Sequence, residues 1–372
     1  ITTPESLYLM LTSRAREILA SVECVIVDEI HSVAGTKRGS HLSITLERLE
    51  DLTPAPPQRI GLSATQRPLT TIAEFLGGGA RRDAAQSWTP RPVTIVDAPW
   101  QKELEVEIVV PVQDMNRPEQ TAPAAGDPDE PGRKSIWPAV YPKLLEMVLG
   151  HTSTLLFVNS RSLAERLAAE INRLAEEELV QSHHGSVSRE QRVTIENRLK
   201  SGELRGVVAT STLELGIDMA AIDLVVLVES PSSVSRGLQR VGRAGHQVGA
   251  PSKARVFPKH RGDLLETAVV VQRMYDGEIE ETTVPQNPLD VLAQQLGAMS
   301  AVGDMKVEEA FELVRGALPV RDLTRATFET GLVMLAGRYP SDEFAELPPR
   351  IVWDRVQDTI SPRGNAKMLA VT

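Results

Sequence analysis

The run Val25-Ile26-Val27-Asp28-Glu29-Ile30-His31 is an apolar strand that delivers two adjacent carboxylates to its C-terminal end. Strand ends of this kind are where α/β folds place their ligands. There Asp28 could hold Mg²⁺ through water against nucleotide phosphates, and Glu29 could polarise an attacking water, because phosphoryl transfer needs mainly positioning and charge neutralisation. Taken alone, an Asp-Glu pair reads better as a solvated strand end. Its company changes that reading. Ser63-Ala64-Thr65 closes another apolar strand, and Gln239-Arg240-Val241-Gly242-Arg243-Ala244-Gly245-His246 follows far downstream. Arg240 and Arg243 are spaced to face one way on a helix. They could reach a γ-phosphate from a neighbouring lobe, an arginine-finger role worth roughly 10³–10⁵ in rate. A lone arginine pair would otherwise read as a solvated helix face, but the glycines beside it argue for a tight approach.

Other chemistry-bearing residues carry less. His183-His184 could suggest a metal, but neighbours in a strand point to opposite faces, and no cysteine or third histidine stands near enough to complete a ligand set. Trp137 and Trp353 could each stack on a base, worth ~1–3 kcal/mol; packing between domains is the expected alternative. Cys24 is the single cysteine, so it has no internal disulfide partner, and its apolar surroundings predict a buried strand residue.

The elements that must position these residues alternate in the manner of parallel α/β sheets. Strands are expected at Cys24–Val27 and Arg59–Leu62, with helical patterns at Leu42–Leu52 and Thr70–Leu76. Val93–Val96 and Leu104–Val112 read as further strands, and the Pro/Ala/Asp-rich stretch Gln113–Arg133 as an exposed, mobile loop. A second α/β unit starts at helix Pro138–Leu149 and continues through strand Thr154–Val158, helix Ser162–Glu177 and strands Gly206–Ala209 and Leu224–Val228. Helices then follow at Leu264–Tyr275, Pro288–Val302, Lys306–Gly316 and Thr324–Ala336, with short strands at Arg350–Trp353, Thr359–Ser361 and Met368–Val371. Helices followed by a hairpin predict a winged helix, its wing at Pro362-Arg363-Gly364-Asn365.

At 372 residues, 41% hydrophobic and 24% charged, the chain has an ordinary globular composition, which excludes wholesale disorder. No stretch approaches the roughly 18 apolar residues of a membrane span, and no signal segment opens the chain, so a soluble, cytoplasmic protein without membrane partners is expected. A net charge of -10 argues against coating nucleic acid through overall positive charge; any such contact must be local, through helix N-termini and short Ser/Thr/Arg clusters. From Gln286 onward 9 Lys/Arg face 12 Asp/Glu, which speaks against a major-groove reader, whereas Arg350–Lys367 has 4 against 2. The winged region is therefore expected to brace its neighbours.

In order, Thr2-Thr3-Pro4-Glu5-Ser6-Leu7, Asp28–His31, Ser63–Thr65, Leu155–Arg161, His183-His184-Gly185, Thr210–Asp218 and Gln239–His246 resemble motifs Ib, II, III, IV, IVa, V and VI of superfamily 2 helicases. Within that superfamily the boxes Asp-Glu-Ile-His, Gly35-Thr36-Lys37-Arg38-Gly39, Leu213–Asp218 and Gly-Arg-Ala-Gly-His look like the large helicase-related family, Lhr, and the resemblance covers essentially the whole chain. It implies an α/β architecture: two RecA-like lobes, the first incomplete at its N-terminus (residues 1–112), joined by a flexible segment (113–137) to the second (138–285), then an incomplete winged helix (286–372). It further implies that Asp28 and Glu29 bind Mg²⁺ and activate water, and that His31, Ser63 and Thr65 couple nucleotide state to strand grip. Gln239, Arg240 and Arg243 would face ATP, with Gly216 and Asp218 in the nucleotide set and Asp218 on the ribose. Thr3, Arg38, Asn159, Ser160, Arg161, His184, Thr210 and Thr212 would line the tracking strand.

The implied function is ATP-driven, 3′-to-5′ tracking on single-stranded DNA with unwinding of DNA or RNA:DNA duplexes and a role in DNA repair. An RNA helicase or remodeller, or a catalytically silent nucleic-acid clamp, are the alternatives. Two departures from the family pattern stand out. Many relatives end motif VI on arginine where His246 stands here, and no Gly-x-x-x-x-Gly-Lys-Ser/Thr phosphate loop occurs in these residues. Ile1 is not a natural start, so that loop is expected upstream, and these residues alone are expected to hydrolyse ATP slowly or not at all. Nothing in the residues speaks to oligomeric state.

Overall fold

The computed structural model describes residues 1–64, 66–80, 88–97, 103–115, 135–214, 222–245, 250–338 and 348–364. In chain order the first elements are α1 (Pro4–Thr12), α2 (Arg16–Leu19), β1 (Cys24–Val27), α3 (His31–Ala34), α4 (Lys37–Leu52), β2 (Gln58–Gly61), α5 (Leu69–Gly77) and β3 (Leu104–Ile108). There follow α6 (Trp137–Gly150), β4 (Thr154–Phe157), α7 (Arg161–Ala175), β5 (Val180–His183), α8 (Arg189–Lys200), β6 (Gly206–Ala209), β7 (Leu224–Val228), α9 (Val234–Val241), β8 (Ser252–Phe257) and α10 (Arg261–Asp276). The last are α11 (Leu289–Ser300), β9 (Met305–Lys306), α12 (Val307–Arg315), α13 (Arg325–Leu335), β10 (Ile351–Asp354) and β11 (Thr359–Pro362). These elements form two compact units, residues 98–280 and residues 1–97 with 281–372. Among the described residues no helix is long and apolar enough to cross a membrane.

The unit of residues 98–280 is a six-stranded sheet in the order β3-β8-β7-β4-β6-β5, and every pairing is parallel. Its central strands β4, β6 and β7 are buried at every position, which is why they read as unbroken apolar runs rather than alternating ones. One face packs against α6 and α7 through Val140, Leu144, Leu163 and Leu167. The other packs against α8, α9 and α10 through Ile195, Val234, Val241 and Met274. The chain leaves β4 for β5 and β6 on one side and returns to β7 on the other, so the strand order switches direction at β4, the position where open α/β sheets bind ligands.

Leu104–Ile108 corrects the expected boundary of the first lobe. This strand pairs with Ser252–Phe257 from Leu104↔Ser252 to Ile108↔Val256 and is the edge of the second sheet. Its alternating pattern suits an edge strand in either sheet, so local sequence could not choose between them. Val93–Val96 forms no strand pairing among the described residues; the segment is tied instead through the Arg91 N–H to the Gly78 carbonyl and an isolated bridge between Gly79 and Pro90. Most of the expected loop, 116–134, lies outside the described residues, as does the third winged-helix strand at 368–371.

In the other unit β1 and β2 pair in parallel, Cys24↔Gln58 through Val27↔Gly61. Val25 and Val27 face the helices α4 and α5, while Cys24 and Ile26 face away and are exposed. The expectation of a buried Cys24 therefore fails: strand alternation puts it on the face that no described element covers. In α11–α13 with the antiparallel sheet β10-β11-β9, the connectivity is that of a winged helix, helix–strand–helix–helix–hairpin. The two-residue strand β9 is too short to leave a sequence signal.

Helix α4 belongs to both parts of this unit and is buried almost all round. Leu42 and Leu46 pack toward the β1–β2 layer, whereas Ile44 joins the winged-helix core with Leu292, Leu296 and Phe328. Its third face is polar. Arg48 donates to Gln295 Oε1 (2.8 Å) and Thr12 Oγ1 (3.3 Å), and Gln295 donates to the His41 carbonyl (3.1 Å) and Thr45 Oγ1 (3.0 Å). Burial pushes the Arg48 pKa down to about 10. Gly39 is obligatory at the α3–α4 corner, since a Cβ there would lie 2.0 Å from the Val33 carbonyl oxygen.

Candidate functional site

In the first unit the chain turns sharply after β1. The Glu29 N–H donates to Asp28 Oδ1 (2.9 Å), and Glu29 adopts φ 49°, a left-handed conformation that non-glycine residues hold mainly where the surroundings enforce it. Asp28 is exposed and Glu29 half-buried. The Ile30 N–H donates to the Leu62 carbonyl (3.0 Å), which brings Ser63 and Ala64 alongside His31. His31 Nδ1 accepts from the Ala64 N–H (3.1 Å) and lies 3.4 Å from Ser63 Oγ and 3.5 Å from Glu29 Oε2. Burial lowers the His31 pKa against the pull of Glu29 and Asp28, so the ring is neutral with its proton on Nε2. Asp28, Glu29, His31 and Ser63 are thus one connected cluster; Thr65 lies outside the described residues. The two carboxylates suit a hard divalent cation of the Mg²⁺ class, which is held by one or two carboxylates together with substrate phosphates.

Two helix N-termini stand near this cluster in sequence. Thr3 caps α1 by accepting the Ser6 N–H (3.2 Å), and Thr36 caps α4 by accepting the Gly39 N–H (3.1 Å). Arg38 in the first turn of α4 is engaged by Glu5 in the first turn of α1, Nε to Oε1 at 2.6 Å and Nη2 to Oε2 at 3.1 Å. The guanidinium hydrogen bond, only partly offset by burial, holds the Glu5 pKa down at about 2. The sequence marks Arg38 but gives no sign that Glu5 occupies it.

In the second unit the expected residues collect at the C-terminal ends of the strands. Asn159 follows β4, His184 follows β5, Thr210 follows β6 and Glu229 follows β7. Asn159 Nδ2 donates to Glu229 Oε2 (3.0 Å), and Glu229, like Glu29, holds a left-handed φ of 78°. Ser160 caps α7 by accepting the Leu163 N–H (3.1 Å), and Arg161 donates to Ser186 Oγ (2.8 Å). Asn159, Ser160 and Arg161 are exposed. His184 is not. Its ring is buried, with Nε2 2.6 Å from Glu165 Oε1 and Nδ1 accepting the Ser186 N–H. Thr212 is likewise committed within the fold, its Oγ1 2.8 Å from His183 Nδ1, while His183 Nε2 meets Glu196 Oε1 at 3.1 Å. Burial lowers the His183 pKa despite Glu196, and a neutral ring protonated on Nε2 satisfies both contacts.

Arg240 and Arg243 converge on one residue that the sequence reading left out, Glu214. Arg240 is 3% exposed; its Nε and Nη2 lie 2.8 and 2.6 Å from Glu214 Oε1, its Nη1 is 3.3 Å from Asn159 Oδ1, and its guanidinium lies 5.2 Å from the Phe157 ring centre. Arg243, half-buried, donates to the Glu214 carbonyl (2.6 Å). Gln239 is half-buried on α9, which ends at Val241, so Arg243 lies past the helix and the expectation that both arginines face one way on it is corrected: they meet through Glu214 instead. Only contact in three dimensions reveals Glu214, because it stands within the Thr210–Asp218 string without a charged neighbour. Gly216, Asp218 and His246 lie outside the described residues. Trp137 is stacked on Tyr141 with Arg166 over its ring, and Trp353 lies beneath Arg355 and packs on the core that Ile44 of α4 shares with the winged helix.

Three family models match in chain order: DEAD/DEAH box helicase over residues 1–73, Helicase conserved C-terminal domain over 139–247, and Large helicase-related protein, winged helix domain over 272–372. The chain is similar to Lhr helicase/uracil glycosylase of Escherichia coli (strain K12), 48% identical over 404 residues, covering all of this chain and 26% of that protein. It belongs to the large helicase-related family. An archaeal relative, ATP-dependent helicase Lhr-Core of Methanothermobacter thermautotrophicus, is 40% identical over 381 residues, covering all of this Lhr-family chain and 42% of the relative. The solved structure of Mycobacterium smegmatis helicase Lhr bound to ssDNA and AMP-PNP is similar with a TM-score of 0.86 and 49% identity, covering all of this chain and 45% of that one. The two parallel-sheet lobes of this Lhr chain are RecA-like, and its last domain is the winged helix of the family.

Proposed function

We propose that the intact Lhr protein is an ATP-driven motor that tracks on single-stranded DNA. The observation that carries this reading is the pair of clusters at strand ends, Asp28–Glu29–His31–Ser63 in one unit and Arg240–Glu214–Arg243 in the other. A silent clamp has no need of acidic and cationic groups held so closely. In this reading Glu29 orients the attacking water, and His31, locked to the Ala64 N–H, passes the state of the Asp28–Glu29 turn to the Ser63 loop. Asp28 and Glu29 hold Mg²⁺, which when bound neutralises charge on the ATP phosphates. Arg240 and Arg243 turn from Glu214 toward the phosphates as charge develops there.

Strand phosphates are met by Thr3 and the α1 N-terminus, by Arg38 once released from Glu5, and by Asn159, Ser160, Arg161 and Thr210. Exposure of Thr3, Arg38, Asn159, Ser160 and Arg161 supports that assignment, with Thr210 half-buried at the end of β6; in this reading the buried His184 and the engaged Thr212 act by supporting the strand-end loops. The likeness to a relative solved with ssDNA and AMP-PNP supports both ligands. The family motifs support 3′-to-5′ movement, separation of DNA or RNA:DNA duplexes and work in DNA repair.

The test is steady-state ATP hydrolysis by the intact protein alone, with single-stranded DNA and with single-stranded RNA, beside a Glu29→Gln variant. DNA is expected to raise the rate many-fold, and Glu29→Gln to abolish hydrolysis while nucleotide still binds. Stimulation by RNA alone would transfer the reading to an RNA motor, and no stimulation by either would leave the clamp.

A further inference from the structure

Helix α9, which carries Gln239 and Arg240 and leads to Arg243, has an N-terminus closed from two sides. The first N–H groups of a helix lack intrahelical partners and must be satisfied otherwise. Ser233 Oγ accepts the Arg236 N–H (3.2 Å), and the carboxylate of Glu280 accepts the two before it, Val234 N–H at 2.6 Å and Ser235 N–H at 3.2 Å. Burial alone would raise the Glu280 pKa, but the N–H groups of Val234, of Glu280 itself and of Ser235 outweigh it and lower the value, so this is an ionised cap on the positive end of the helix. Gly237 keeps α9 pressed on α10, since a Cβ there would meet Met274 Sδ at 2.8 Å.

Glu280 is also the last residue of its unit. The next residue, Glu281, forms an isolated bridge with Arg67. Thr282 then donates its N–H to the Arg67 carbonyl (2.8 Å) and its hydroxyl to Gln66 Oε1 (2.5 Å). On either side Ile279 is buried in the core of one unit and Val284 in the core of the other. Gln66 and Arg67 directly follow the Ser63–Thr65 string. The connection between the two units is therefore pinned at both ends without slack, one pin on the arginine helix and the other beside the Ser63 loop. Consecutive residues span at most roughly 3.3–3.6 Å each, so displacement of one pin must move the other or break its hydrogen bonds.

We propose that Glu280–Thr282 is a strap that couples the Ser63 loop to the arginine helix, with Glu280 the positioning residue at the α9 end and Thr282 the anchor at the other. Neither residue touches a reacting atom; each acts through the element it holds. This rests on the motor reading above.

The experiment uses the full-length protein and measures the ratio of ATP hydrolysis rates with and without saturating single-stranded DNA. Partial misfolding lowers both rates together and leaves their ratio unchanged. Glu280→Ala, which removes the cap, and Thr282→Val, which removes only the hydroxyl bond to Gln66, are each expected to lower the ratio at least fivefold. Glu280→Gln keeps an acceptor oxygen without the charge and is expected in between; it also serves should Glu280→Ala fail to fold. An unchanged ratio in both variants overturns the strap. A drop in Glu280→Ala alone overturns it too, because that would be a local helix effect. A wild-type protein with no strand stimulation would instead sink the motor reading, and a normal wild-type ratio beside insensitive variants sinks only the strap.

Discussion

Arg240 and Arg243 carry the same charge at one end of α9, Arg240 inside the helix and Arg243 just past it, and the structure gives them different physical situations. Arg240 is buried against the Glu214 carboxylate, whereas Arg243 is half-buried and bonded to a backbone carbonyl of the same residue. Removing one partner of a buried ion pair leaves the other charge uncompensated, at a cost of about 3–5 kcal/mol. Arg240→Ala is therefore expected to lower the stability of residues 98–280 by about that amount as well as to reduce ATP hydrolysis. Arg243→Ala should reduce hydrolysis with little change in stability. Urea denaturation followed beside the ATPase rate separates the two, and equal destabilisation by both would refute the distinction. At this scale the sequence marked the arginines by type and spacing. It was mute about Glu214, Glu5 and Glu280, because a carboxylate becomes a partner only through the position of another segment.

At the scale of elements, several residues expected to meet the strand turn out to be helix caps. Ser160 starts α7 and Thr3 starts α1, each accepting an N–H from the first turn. A cap residue of this type is worth about 1 kcal/mol, and aspartate caps as well as serine does. Ser160→Asp should therefore keep the thermal stability of the protein while setting a negative charge where a strand phosphate is expected, weakening single-stranded DNA binding at least tenfold. Ser160→Ala should do the reverse, losing about 1 kcal/mol of stability with a smaller loss of affinity. If Ser160→Asp binds DNA like the wild type, Ser160 has no place on the strand path. The long periodic helices and the buried strands β4, β6 and β7 were legible in advance because their burial leaves a continuous or periodic apolar signature. Strands β5 and β8 and helix α8 were not. Val180–His183 and Ser252–Phe257 mix polar and apolar residues, and Arg189–Lys200 buries only Ile195 and Leu199.

Across whole units, the most consequential polar feature is the ion cluster that joins α4, β2 and the segment around Arg91. Glu47 is fully buried and accepts from both Arg59 (2.9 Å) and Arg91 (2.9 Å), while Glu50 takes a second bond from each, 2.7 and 2.8 Å. Gly316, at the end of α12 in the winged helix, lies against the same carboxylate, where a Cβ would come within 2.4 Å of Glu47 Oε2. Glu47→Ala leaves two guanidinium groups around a single remaining carboxylate and is expected to destabilise residues 1–97 and 281–372 together, by about 3–5 kcal/mol. The check is hydrogen exchange in α4 and in α12, which should rise in both; exchange rising in α4 alone would show that the winged helix does not share this cluster.

What the sequence by itself determined was the order of motifs, the parallel α/β character of both lobes, the helix-rich third domain and the residue types able to handle phosphates. Those follow from local periodicity and from side-chain chemistry, which need no knowledge of neighbours. Only the tertiary structure decided that Leu104–Ile108 edges the second sheet, that Cys24 faces outward and that the winged helix shares a core with the first lobe. It likewise decided that Arg38, Arg240 and the N-terminus of α9 each have a carboxylate partner. The reason is the same in each case: a hydrogen bond or ion pair between residues far apart in the chain depends on which surfaces the packed apolar cores bring together, and composition and spacing along one segment carry no record of the segment that meets it.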